Sequence, residues 1–195
     1  AIPVVAAKVA ATLADYPALV QPSLMTGWAA ITLAQANSIR FYSDEAKTTE
    51  LARQVVSADE IHVNVTSLTT STIIYADYDG VRADYAVGAT YGRNAVWGDY
   101  AAVFHMDETS GTRFDSSGNG QDLTDNNTVL SGTGIVGDTA ADLEASNSEH
   151  FSRTDGIDIS TGATISAWMK LESTNLQYIV QKGTSDSDLN YRIEV

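Results

Sequence analysis

The sequence predicts an all-β protein built from two successive β domains: a β-sandwich-like module over residues 1–99 and a second β domain over residues 100–195. Three observations carry that expectation. From Ser38 onward apolar and polar residues alternate with a period of two. The alternating runs are short and bounded by clusters of Gly, Ser, Asn and Asp. Stretches with helical propensity are confined to the first 37 residues.

Ala1 to Val20 mixes an Ala-rich opening, which favours helix, with β-branched residues and the extended-prone Tyr16–Pro17 pair, and a strand or strand-like arm is expected. Leu24 to Asn37 is the helix candidate, short enough to be a single turn. A hairpin follows, with Ile39 and Phe41 facing one way, Arg40 and Tyr42 the other, and SDEAK as its polar turn. Leu51–Val56, Ile61–Val65 and Thr72–Tyr78 read as further strands at sandwich-like spacing. Val81 to Tyr100 has small residues, three tyrosines and no period, so it reads as a connector lying against the surface, with Trp97 plugging the domain junction.

Beyond that boundary, strands are expected at Ala101–Met106, Ile135–Leu143, His150–Arg153, Ala163–Leu171, Gln177–Lys182 and Asn190–Val195, with a turn at Thr109–Gly111. In Ala163–Leu171, Ile165, Ala167 and Met169 should face one side, and Thr164, Ser166, Trp168 and Lys170 the other.

Composition sets the bounds on function. The 195 residues are 44% hydrophobic, enough for one substantial core or two small ones. No apolar run approaches the ~20 residues of a membrane-spanning helix. With no cysteine there is neither a disulfide frame nor a thiolate metal site. The net charge of −14 is uneven: residues 1–99 carry 10 acidic and 6 basic side chains, and residues 100–195 carry 15 and 5. Such a surface repels phosphate backbones, and the basic residues of the second half are scattered, so nucleic acid is not an expected partner.

Specific blocks bring a family resemblance. AVFHMDETSGTRFDSSGNGQDLT, GIVGDTAADLEASNSEHFSR, ATISAWMKL and YIVQKGTSDSDLNYRIEV resemble, in order and spacing, the front part of a laminin-G-like, concanavalin A-like jelly roll of the bacterial and phage type. The preceding TLADYPALV, NSIRFYSDEAKTTEL and IHVNVTSLTTSTIIYADYDG resemble a β-rich module of unknown function that precedes such jelly rolls in secreted bacterial proteins and phage structural proteins. A full sandwich of that kind needs about a dozen strands, so the resemblance implies a jelly roll cut short, completed either by further chain or by a neighbouring copy.

Candidate chemistry is sparse. Asp115, Ser117 and Asn119 followed by Gly120, with Asp122 as an additional oxygen, reproduce the alternate-oxygen spacing of a calcium loop. The twelfth position is Asn126 in place of a bidentate Glu, and Asx turns use the same residue types to satisfy backbone N–H groups. His62, His105 and His150 lack zinc-ligand spacing, and no serine sits in a nucleophile elbow. Glycosidases of the resembled fold class carry E-x-D-x-x-E on one strand, a run missing from residues 102–195. Trp168, on the more polar face of its expected strand, is the candidate sugar-stacking residue.

The expectation is therefore a non-enzymatic exterior protein, extracellular or on a virion surface, such as a capsid decoration or tail appendage. Its expected partners are copies of itself or a capsid, tail or filament protein. The alternative is a secreted glycan-binding module of an adhesin or polysaccharide-degrading enzyme, recognising cell-surface glycan.

Overall fold

The computed structural model describes residues 1–3, 9–25, 28, 30–134, 139–155, 157, 164–171, 178–183 and 191–194. Within them the chain is all-β, with one short α-helix. It divides into two compact units, Ala1–Phe151 and Ser152–Val195.

The first unit contains two sheets whose residues share one buried cluster. β1 (Ile2–Pro3), β3 (Arg40–Tyr42), β4 (Glu50–Leu51) and β7 (Ile73–Asp77) form a four-stranded sheet in the order β1-β7-β3-β4. β2 (Leu13–Val20), β5 (Arg53–Ser57) and β6 (Glu60–Leu68) form a three-stranded sheet in the order β2-β6-β5. All of these pairings are antiparallel.

β6 shows why the sequence folds this way: Ile61, Val63 and Val65 are buried on one side while His62 and Asn64 take the other, as a period of two dictates. The buried residues meet Val20 from β2, Phe41 from β3, Leu51 from β4 and Ile74 from β7. Burying such apolar side chains contributes about 1.5–3 kcal/mol each. Pro17 is tolerated within β2 because that strand lies at a sheet edge, where a missing N–H costs no ladder bond.

The expected hairpin is present, with β3 paired to β4 so that Phe41 lies opposite Leu51. Asp44 closes its turn by accepting from the N–H groups of Thr48 and Thr49. The helix expected over Leu24–Asn37 is much shorter. Described residues there form a 3-10 turn at Pro22–Leu24 and one α-helical turn, α1 (Leu33–Ala36), held by a Thr32/Gln35 capping box, while residues 26, 27 and 29 lie outside the described residues. Residues 4–8 of the Ala-rich opening also lie outside them.

After β7 the connector runs without strand to a 3-10 turn at Arg93–Val96. Then come β8 (Thr124–Asn126), β9 (Leu130–Thr133), β10 (Thr139–Asp142) and β11 (His150–Ser152), paired as β9-β10 and β8-β11. Alternation does not point to β8 and β9, because TDN and LSGT are rich in turn-forming residues. Ala101–Met106 is not the strand its sequence suggests. Its one ladder contact is an isolated bridge from Phe104 to Asp115, since Val103 N–H goes to the Asp115 side chain and Ser116 N–H comes to the Val103 carbonyl.

In the second unit, β12 (Tyr178–Lys182) and β13 (Tyr191–Glu194) pair antiparallel with one register shift. The expected strand at Ala163–Leu171 is absent from the described part of that stretch: residues 164–171 have no regular structure and every one is exposed. Alternation alone does not make a strand, and among the described residues none pairs with this stretch. No helix among the described residues is long and apolar enough to cross a membrane.

Candidate functional site

The Asp115 loop is built as a hydrogen-bonded knot. Asp115, 7% exposed, accepts four hydrogen bonds. Val103 N–H and Ser117 N–H reach Oδ1 at 3.0 and 2.9 Å, and Ser117 Oγ–H and Gln121 N–H reach Oδ2 at 2.7 and 3.0 Å. Burial by itself would raise this carboxyl, but the hydrogen bonds outweigh it and hold the group below the usual carboxylate range.

Asn119 turns its amide nitrogen onto the carbonyls of Tyr100 and Ala101 at 2.9 and 3.3 Å, and Asp122 Oδ1 accepts from Asp115 N–H at 2.9 Å. Gly118 and Gly120 take the positive φ values, 82° and 67°, that the tight path requires. The four residues with calcium-loop spacing are thus brought together. The described contacts of the Asp115 and Asp122 carboxylates are with protein donors, and a cation at Asp115 would have to displace them. Among the described residues no group of three or more His, Asp or Glu side chains is placed to hold a metal.

Trp168 is 77% exposed, in a run without regular structure that also exposes Ile165, Met169 and Leu171. Its indole is accessible, as stacking on a sugar ring requires.

Buried arginines form a feature that sequence reading missed. Arg53 has a fully buried side chain, with Nη1 2.8 Å from Asp84 Oδ1 and Nη2 donating to the Asn37 carbonyl at 2.7 Å. Arg40 donates to the carbonyls of Asn37, Ile39 and Ala83. Its guanidinium lies 4.2 Å from the Tyr85 ring centroid, with that of Arg53 at 5.4 Å. The Tyr85 hydroxyl in turn donates to Glu50 Oε1 at 2.7 Å. Ala83, Asp84 and Tyr85 of the connector are thereby strapped to β3, β4 and β5. Gly92 tightens the same connector, because a Cβ there would collide with the Ala86 carbonyl oxygen.

Arg113 repeats the device. Its buried guanidinium donates to the carbonyls of Gly111 and Val129 and lies 4.7 Å from the Phe151 ring centroid.

Trp97 ties the connector to β5, β6 and the 101–107 segment. Its Nε1–H donates to Gln54 Oε1 at 2.8 Å, and its ring meets His62, Tyr100 and His105 at centroid distances of 5.4, 5.4 and 5.9 Å. A cleft of about 300 Å³ nearer β6 and β7 is lined by uncharged residues, among them Leu51, Val65 and Ile74 with the hydroxyl-bearing Ser43, Thr66 and Thr72. Those side chains supply shape and weak polarity but no acid, base or nucleophile of shifted pKa.

Comparisons with family models, with curated proteins and with solved structures gave no match.

Proposed function

We propose that this chain is a non-enzymatic structural or adhesive component of an exterior assembly, a phage virion being the favoured setting. In this reading a β-sandwich-like module over residues 1–99 docks to the assembly, and a laminin-G-like region over residues 100–195 faces outward. The observation that carries it is the use made of buried charge: Arg40, Arg53, Arg113 and Asp115 all tie loops down. Such ties suit a scaffold that keeps its loops fixed, and differ from an active site, where poised groups are left open to substrate. The virion setting is supported by the sequence resemblance alone, and the acidic, cysteine-free composition agrees with an exterior location. Antibody labelling of particles from the native source tests it. Regular decoration of capsid, tail or filament supports the reading, and label only on free protein counts against it.

The exposure of Trp168 favours a second reading, a glycan-binding module. Binding on a glycan array that disappears in Trp168→Ala would put it first.

A further inference from the structure

The face of β6 turned away from the core is covered by the connector and the segment behind it. Asn64 Nδ2 reaches toward the carbonyls of Ala95 and Val96 at 3.4 Å, and Trp97 lies against both His62 of β6 and His105 of the following segment. His105 closes this cluster with its Nε2 buried and without a hydrogen-bond partner. A buried imidazole can remain so only while neutral, because an imidazolium needs an acceptor or water at each N–H.

The charged and titratable groups around it give no such acceptor on balance. Arg93, from the 3-10 turn, faces His105 and is itself paired to Asp107 Oδ2 at 2.6 Å. His62, from β6, sits 3.2 Å from Glu60 Oε1. Among the described residues Asp107, on the same segment as His105, is the one group favouring its cation, and it is already engaged by Arg93.

We propose that His105 is an acid-operated latch: neutral, it holds the 101–107 segment against Trp97 and β6, and protonated, it releases that segment. Burial first, then the positive charge of Arg93, with a further push from His62, lower its pKa from 6.5 to about 4 against the opposing pull of Asp107. A lowered pKa on a base means that the open form binds the proton more readily. The closed form therefore has its full advantage above pH 6.5 and loses it as pH falls toward 4. Between pH 7.5 and 5.0 the opening equilibrium should rise about 30-fold from this group alone. The device is independent of the proposed function, since it needs only the geometry around Trp97.

Two measurements on the full chain test it. In the wild type, an NMR titration should show the His105 imidazole protonating near pH 4, and a midpoint near 6.5 would overturn the latch. Hydrogen exchange of residues 101–107, corrected for intrinsic rates, should show protection falling about 30-fold more between pH 7.5 and 5.0 in the wild type than in His105→Phe. Equal losses in the two proteins would also overturn it. Should His105→Phe not fold, the wild-type titration still decides.

Discussion

Replacing Asp84 by Asn removes one charge from the connector strap and leaves its shape. Arg53 then keeps the Asn37 carbonyl and the Tyr85 ring but loses its only counter-charge within salt-bridge distance among the described residues. Breaking a wholly buried pair costs about 3–5 kcal/mol. The Asp84 side chain is 41% exposed, so water reaches one side of the pair and screening lowers the figure. A single charged hydrogen bond is worth about 1.5–3 kcal/mol, which places Asp84→Asn near 2 kcal/mol. For a protein of this size that corresponds to a fall of about 4–8 °C in Tm. Arg53→Met should cost less, about 1 kcal/mol, because it removes the desolvated cation while Asn37 still accepts from Arg40. Urea unfolding of both single variants and the double variant gives the coupling energy directly. Hydrogen exchange at residues 83–87 should rise in Asp84→Asn. A loss below about 0.5 kcal/mol with unchanged exchange would mean that Arg53 does not hold the connector.

The same geometry sets other outcomes. Asp115→Ala strips the acceptor from three backbone N–H groups and one hydroxyl, and should cost about 3 kcal/mol in urea unfolding. Because its folded pKa is lowered, Asp115 contributes stability above the ordinary carboxylate range and loses it as pH falls through the lowered value, so wild type should lose more stability on acidification than Asp115→Asn. Millimolar calcium should leave the wild-type Tm unchanged, since the Asp115 oxygens are already engaged; a rise abolished by Asp115→Asn would reassign the loop as a cation site. Gly92→Ala should destabilise by about 1–3 kcal/mol through the clash with Ala86, measured by thermal melt. Trp168→Ala should change stability by less than about 0.5 kcal/mol, which makes any loss of glycan binding in that variant a direct readout.

Where one face of a strand is buried and local, the sequence was legible. Ile61, Val63 and Val65 against His62 and Asn64 needed only alternation, and the β3–β4 hairpin needed only its polar turn. The strap around Arg53 was not legible, because an arginine within an alternating run reads as solvent-facing. Its partners, Asn37 and Asp84, lie 16 and 31 residues away in sequence. The Asp115 loop stood out by spacing, but spacing does not tell whether its oxygens converge on a cation or on backbone N–H groups. Here the N–H groups of Val103, Ser117 and Gln121 are the ones they meet. Residues 164–171 had a strand's alternation, yet Trp168 and Ile165 are both exposed there, because a period reports which side chains could share a face and not whether a neighbouring strand exists.

The proposal of an exterior structural component is tested most directly by sedimenting native source material and measuring this chain in each fraction by quantitative mass spectrometry. A structural component should co-sediment with particles at a fixed ratio to their major protein across preparations. Recovery only as free soluble protein, or at a ratio that drifts from one preparation to the next, would contradict it.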